Sequence, residues 1–333
     1  ADHGITAGDA SFDVPTMIGR KDGIVKKLTG GVAGLFKANK IQSYHGHGRL
    51  LAGRQVEVTL NDSDEQLTLE AKNIILAPGS VPIAIPNVDY DGEFIVDNAG
   101  ALDFDVAPER LGVIGAGVIG MELGSVWKRL GSDVTLLEAL PDFLPAADKD
   151  IARTAAREFK KQGLTPRLGT LVKSAEVRKG EVFVTIEDKD GESELVFDRL
   201  LVAVGRRANT AGLLADDSGV ELTEKGQIQV NDQSHTSAEN VWAIGDAVRG
   251  PMLAHKASEE GIAVAEIIAG QNAHIHFDTV PWVIYTDPEI AWVGKTEQEL
   301  TAEGVEFNAG SIPFAATGRG LALGHAAGMV KIL

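Results

Sequence analysis

The apolar residues Met17, Ile18, Ile24, Val25, Leu28, Val32, Leu35 and Phe36 recur at helical spacing, and Pro15 stands near the start of the run. Short strand-like segments follow, QSYHGHGRLL, QVEVTL and QLTLEAKNIILAPGS, divided by Gly and Asp. The alternation in QVEVTL predicts a half-exposed strand. Residues 111–139 read as strand, glycine turn, helix and strand, and a second helix is expected over 149–162, ending at Gly163. Strands return in EVFVTIED and SELVFDRLLVAVG. A buried strand, VWAIGD, precedes a helix over about 253–269. Beyond Pro281 the character changes to WVIYTDPEIAWVG, a helical stretch TEQELTAEG and two more strands. Strands and helices alternating in this way predict an α/β fold. The first residue is Ala, and the closing GMVKIL reads as a strand with no turn or polar tail after it. Both ends are therefore expected to be cuts.

Two segments echo each other. AKNIILAPGS and FDRLLVAVGR each run from a polar residue through a buried apolar strand to Ala-x-Gly and a small or charged residue. Two nucleotide-binding halves of similar design would produce this echo.

The strongest chemical signal is Gly115-x-Gly117-x-x-Gly120, which follows the apolar strand 111–114 and opens a helix. Gly115 permits the tight turn, Gly117 lets the backbone approach a pyrophosphate, and Gly120 allows close helix–strand packing. The helix N-terminus supplies free N–H groups and a positive dipole end. Glu138 ends the second strand, 18 residues after Gly120, where a carboxylate accepts hydrogen bonds from ribose hydroxyls. It would repel a 2′-phosphate, so NAD is expected rather than NADP.

A second motif, TSAENVWAIGD, delivers Gly245 and Asp246 to the carboxyl end of a buried strand, where open α/β sheets bind ligands. Asp246 is either a polyol acceptor or part of a plain Gly-Asp turn, and the residues alone favour neither. The helix opened by Pro251-Met-Leu-Ala-His255 could again face an anion. Leu76-Ala-Pro-Gly79-Ser80 reads by itself as a structural turn. His45 with His47, and His274 with His276, have same-face spacing without a third ligand nearby, so ordinary strand or loop histidines are expected. Ser80 and Ser258 lack a nucleophile-elbow context. His255 and Glu260 would lie about 140° apart on a helix, too far round to act together. Lys26, Lys27 and Lys37 are expected on a solvated helix face, and Trp282 and Trp292 in packing roles.

Composition narrows the field. A chain of 333 residues, 44% of them hydrophobic, can bury the cores of two or three domains. No apolar run reaches the ~20 residues of a membrane span, and no basic start followed by an apolar stretch marks a signal peptide. The net charge of −17 argues against nucleic acid as a partner. There is no cysteine, which excludes a disulfide, a thiolate metal site and a cysteine nucleophile within this chain.

The stretches PTMIGRKDGIVKKLTGGV, IGAGVIGMELGSVWKRLGSDVTLLEA, AVGRRANT, TSAENVWAIGDAVRGPMLAHKASEEG and PWVIYTDPEIAWVGKTEQEL together run the length of the chain. In them it resembles the pyridine nucleotide–disulfide oxidoreductases, and most of all the bacterial, cytoplasmic branch that oxidises dihydrolipoamide. The resemblance implies a two-domain FAD/NAD(P)-binding Rossmann-like fold. Residues 1–102 and 231–279 would be parts of an incomplete FAD domain. Residues 103–230 would be an inserted NAD domain, and 280–333 the start of an α+β dimerisation domain. Carried over by position, Gly115, Ala116, Gly117, Val118, Ile119, Gly120, Met121, Glu122, Glu138, Val172 and Gly205 would line NAD. Gly48, Pro78, Gly79, Ser80, Asp246, Met252, Leu253, Ala254 and His255 would touch FAD. Glu122 would lie near the nicotinamide–flavin junction as a supporting residue. Homodimerisation and docking to dihydrolipoyl domains of 2-oxoacid dehydrogenase complexes follow from the same resemblance.

The departures are informative. The family opens with an FAD glycine motif of its own and a redox Cys-x4-Cys, and closes with a His-x4-Glu base pair given across the dimer. None is present here; His325 is not the base, because residue 330 is Val. Pro78 and Asp287 stand where the family often has Thr and His. The chain as given is therefore expected to be inactive, with no catalytic residue of its own and FAD weak or absent. The alternatives are an NAD-binding fragment without catalysis, a related flavin disulfide reductase, or a soluble transhydrogenase. The run LLEALPDFLPAADKDIA favours the lipoamide branch by resemblance.

Overall fold

Asp13 starts the first helix by accepting the Thr16 N–H at 2.8 Å, and Pro15 sits in the first turn, where no N–H is required. In the computed structural model, which describes Gly4, Gly8, residues 11–63 and residues 65–333, this helix, α1, spans Val14–Ala38. The predicted apolar stripe is real but open. Val14 is buried and Ile18 partly so, whereas Leu28 and Leu35 are 66% and 63% exposed. Lys26, Lys27 and Lys37 are exposed, as expected. After α1 come β1 (Gly46–Leu51), β2 (Gln55–Leu60) and β3 (Gln66–Glu70), an antiparallel sheet in that order. Next are β4 (Ile74–Leu76), β5 (Ser80–Pro82), β6 (Ile95–Val96) and α2 (Asn98–Ala101).

The middle of the chain runs β7 (Arg110–Ile114), α3 (Val118–Arg129), β8 (Asp133–Glu138), α4 (Lys149–Lys161) and β9 (Arg167–Leu168). β10 (Leu171–Arg178), β11 (Glu181–Asp188) and β12 (Gly191–Phe197) then form an antiparallel sheet before β13 (Arg199–Val202) and β14 (Arg206–Ala208). A five-stranded sheet forms in the order β6-β13-β7-β8-β9, every pair parallel. Successive residues of a strand face opposite sides. Leu111, Val113, Leu136 and Leu201 therefore pack with Met121, Trp127 and Phe159 of α3 and α4. Ile114, Leu137, Leu200 and Val202 pack with Val182, Val184 and Ile186 of β11. Helices thus cover one face of the parallel sheet and the antiparallel sheet covers the other.

The rest comprises β15 (Val241–Ala243), α5 (Ala254–Ile268), β16 (Trp282–Ile284), β17 (Ile290–Trp292), α6 (Glu297–Glu303), β18 (Gly310–Pro313), α7 (Gly318–Leu323) and β19 (Met329–Ile332). β15 lies parallel to β4, and a third core gathers Leu50, Ile74, Leu76, Ile228, Val241 and Val248. The echoing segments noted above meet physically. β5 and β14, which follow β4 and β13, pair with each other, Ser80 opposite Ala208. Trp282 and Trp292 stack on one another across β16–β17 at 5.4 Å, a packing role as expected. Among the described residues no helix is long and apolar enough to cross a membrane.

β19 pairs with β18 along its length and carries one of the residues that tie the last fifty residues to the parallel-sheet half. Half-buried Lys331 binds Asp148, at 2.9 and 3.0 Å, with Asp150 and Glu297. Burial disfavours charge on both Lys331 and Asp148. Hydrogen bonds to Asp150, Glu297 and Asp148 outweigh it for the lysine and raise its pKa above the ordinary value, and the Lys331 ammonium with the Asp150 and Glu297 N–H groups holds the Asp148 carboxyl below its own. A depressed carboxyl stabilises the fold above the unfolded pKa of about 4 and loses that contribution as pH falls through the folded value. Asp148→Asn keeps the helix cap but removes the charge. It is expected to cost about 1–2 kcal/mol at pH 7, with the difference from wild type shrinking in thermal melts near pH 3.

Candidate functional site

β7, β8 and β13 end side by side, and their hydrogen bonds continue past the strands. Gly115 N–H donates to Leu137 O, and Ala203 N–H to Ile114 O, both at 2.8 Å. The return into α3 is tight. A Cβ on Gly120 would stand 2.0 Å from the Gly115 carbonyl oxygen, and one on Gly115 2.5 Å from Ala203 O. At Gly117 the opposite holds: a Cβ would meet nothing within 4 Å. Gly117 is exposed and caps α3 without a side-chain bond, so the first-turn N–H groups of α3 face open space with the positive helix end behind them. That space is what a pyrophosphate would fill.

Glu138 lies across the mouth of this turn. One carboxylate oxygen accepts the Ala116 N–H at 2.8 Å and the other the Leu140 N–H at 2.9 Å. Each oxygen keeps a second lone pair for a hydroxyl. Two backbone donors thus fix the orientation of the carboxylate. Val172 is two residues beyond Thr170, whose N–H binds Glu138 O, and it is half-buried beside β11. Gly205 is exposed beyond the end of β13. Val118 and Ile119 are half-buried on α3; Ala116 and Met121 are buried, with Met121 N–H already given to Gly117 O. Glu122 accepts the Tyr285 N–H at 2.8 Å, which links α3 to the segment beyond Pro281.

A second cluster forms where β4 and β15 end. Ser80 donates to Asp246 at 2.5 Å, and Arg206 donates from Nε to Ser80 Oγ at 2.7 Å and from Nη2 to Ser80 O at 2.6 Å. Gly79 O accepts the Asn209 N–H and Pro78 O the Asn209 side chain. Met252, Leu253, Ala254 and His255 lead into α5, whose N-cap Leu253 makes no side-chain bond. His255 turns to Pro281 O at 2.7 Å. Gly48 lies in β1, paired with Val58. Glu260, expected to lie too far round the helix to act with His255, pairs with Lys256 at 3.1 Å, both side chains wholly buried. Gly245 is held between them: its N–H donates to Glu260 at 2.6 Å and its carbonyl accepts from Lys256 at 2.8 Å. Sequence reasoning missed Lys256 and Arg206. Lys256 and Glu260 do have pairing i,i+4 spacing, but such pairs are ordinarily solvated.

Ser258 bonds to its own helix at Ala254 O. An open concavity of about 950 Å³ between α4 and the segments around residues 287–296 and 325–333 holds none of the expected site residues.

The sequence profile of pyridine nucleotide-disulphide oxidoreductases matches residues 3–261, and the profile of their dimerisation domain matches residues 280–333. The chain belongs to this family. It is 52% identical over its full length to dihydrolipoyl dehydrogenase of Cupriavidus necator, of which it covers 70%. It is 43% identical to mitochondrial dihydrolipoyl dehydrogenase 2 of Arabidopsis thaliana, again over its full length, and covers 66% of that protein. Among solved structures, LpdA from Mycobacterium tuberculosis matches 98% of this chain with a TM-score of 0.90 at 25% identity, through 72% of its own length. The HOCl-induced flavoprotein disulfide reductase RclA from Escherichia coli matches 96% of this chain at a TM-score of 0.85 and 26% identity, also through 72% of its length. The mixed α/β architecture is that of flavoprotein disulfide reductases. The chain has no cysteine with which to form the disulfide of the family's name.

Crowding at Gly120 and openness at Gly117 separate packing from binding. Gly120→Ala is expected to destabilise the protein by about 2–3 kcal/mol through forced backbone movement. Gly117→Ala is expected to cost less than about 1 kcal/mol in thermal melts, yet to weaken dinucleotide binding by placing a methyl group in the open space.

Proposed function

We propose that this chain is the nucleotide-binding portion of a dihydrolipoyl dehydrogenase, with NAD as its dinucleotide. The observation that carries the reading is Glu138, held by Ala116 and Leu140 across an open glycine turn. In this reading the Gly117 region and the first N–H groups of α3 receive the pyrophosphate, and Glu138 accepts the ribose hydroxyls and repels a 2′-phosphate. Val172 borders the adenosine side, while Gly205 and Glu122 border the nicotinamide. The flavin side would be held by Asp246, Ser80, the turn at Pro78 and Gly79, the start of α5, and Gly48. The free first turn of α5 and the acceptor at Asp246 suit a phosphate and a polyol, respectively. When bound, flavin and nicotinamide supply the hydride chemistry, and the chain binds and orients them.

The identity to dihydrolipoyl dehydrogenases supports dihydrolipoamide as the family substrate and lipoyl-bearing 2-oxoacid dehydrogenase complexes as partners. The match of residues 280–333 to the dimerisation domain supports a homodimer. The absence of cysteine favours a second reading for these 333 residues expressed alone, namely NAD binding without dihydrolipoamide oxidation, and the lack of an FAD glycine motif of the family's kind favours weak or no flavin.

Calorimetric titration tests the reading. NAD⁺ should bind more tightly than NADP⁺, and Glu138→Ala should weaken NAD⁺ by about tenfold while narrowing the preference. No binding heat, or equal affinity for both nucleotides, would refute it. In a turnover assay with dihydrolipoamide and NAD⁺, the chain should form no NADH above background; a normal rate would overturn the inactive reading.

A further inference from the structure

The cluster at Ser80 has a direction built into it. A guanidinium donates hydrogen bonds and accepts none. Arg206 Nε at 2.7 Å therefore makes Ser80 Oγ an acceptor, and the single hydroxyl hydrogen of Ser80 goes to Asp246 Oδ2 at 2.5 Å. The carboxylate, which only accepts, fixes the same direction from its own side, and Arg206 holds the serine oxygen in place for it. A second bond from Arg206, Nη2 to Ser80 O at 2.6 Å, fixes the serine backbone, and a third, Nη1 to Asn98 at 3.2 Å, anchors the guanidinium to α2. Asp246 Oδ1 has no protein donor among the described residues, and the residue is half-buried. The turn beneath it is gripped from the other side: Glu260 takes the Gly245 N–H and Lys256 supports the Gly245 carbonyl. A wholly buried ion pair is costly relative to apolar side chains of similar volume, so its presence under one turn argues for a turn of defined geometry.

Resting on the flavin reading above, we propose that Arg206 is a positioning residue that acts through Ser80 to preset the Asp246 carboxylate as the acceptor for a polyhydroxylated chain. One carboxylate oxygen is spent on Ser80, and the other is presented outward at a fixed angle. The ligand class is an aromatic ring bearing a polyol, as in a flavin with its ribityl chain. Arg206 also lies one residue past Gly205, at the neck leading out of the parallel sheet, so the contact that sets the polyol acceptor belongs to the connection between the two nucleotide-binding halves.

Three flavins separate the polyol from the ring: lumiflavin has no ribityl chain, riboflavin has one, and FAD adds the dinucleotide. Each is titrated by fluorescence into the whole chain and into Arg206→Met, Arg206→Lys and Ser80→Ala. Wild type should bind riboflavin and FAD about tenfold more tightly than lumiflavin, one charge-assisted hydrogen bond's worth. Arg206→Met and Ser80→Ala should each collapse that ratio towards one with NAD⁺ affinity unchanged, and Arg206→Lys should restore part of it. Ser80→Ala, a small deletion, carries the test if Arg206→Met does not fold. Positioning is overturned, with the flavin reading intact, if the variants keep the riboflavin-to-lumiflavin ratio. It is overturned as a mere structural tie if they weaken every flavin and NAD⁺ alike. If wild type binds no flavin, or prefers neither flavin to the other, the flavin reading falls together with the proposal, and the NAD reading still stands or falls on Glu138.

Discussion

The contact on which the candidate site depends is the near approach of Gly120 to the carbonyl of Gly115. A side chain at either position would strike backbone, so the chain can leave β7 and enter α3 at this angle only with glycine there. With the angle set, α3 lies close enough for Met121 and Trp127 to enter the core above the sheet, and its N-terminus points into the space beyond the strand ends. The same geometry brings Ala116 N–H within reach of Glu138, so the acid is oriented by the turn it is to serve. Packing and binding are therefore one problem here: the residues that let helix and sheet touch also create the opening.

The second cluster solves a similar problem by other means. At the ends of β4 and β15 the Gly-Asp turn is not wedged by close packing but held by charge. Lys256 and Glu260 grip Gly245, and Arg206 and Ser80 grip Asp246. The β5–β14 ribbon joins this cluster to the parallel sheet, so the two halves meet through a short stretch of backbone pairing flanked by polar contacts. At the far end, Lys331 ties β19 and α6 to the start of α4. Charged side chains thus carry the connections between units whose interiors are apolar.

What could be read from the chain alone divides along the range of the interactions. The glycine turn, Glu138 and the helices at Lys149–Lys161 and Glu297–Glu303 depend on neighbours close in sequence, and they stand where the pattern put them. The echo of LAPGS in VAVGR was visible too, although not that the strands continuing from them pair. Arg206 was invisible as a site residue because its partner Ser80 is 126 residues away. Lys256 and Glu260 were hidden for another reason. Charged residues on a helix ordinarily face water, and nothing local shows that this face turns inward beneath Gly245. The stripe on α1 was legible as a helix, but periodicity says nothing of whether a partner covers it, and among the described residues most of it is open.

The proposed dinucleotide site needs no cysteine of this chain. Amide hydrogen exchange followed by mass spectrometry, with and without saturating NAD⁺, reads that site directly without requiring turnover. The account predicts slowed exchange in peptides covering residues 115–122, 138–140, 170–172 and 203–206, with α1 and residues 310–332 unchanged. Protection absent from residues 115–122, or confined to the concavity beside α4, would contradict it.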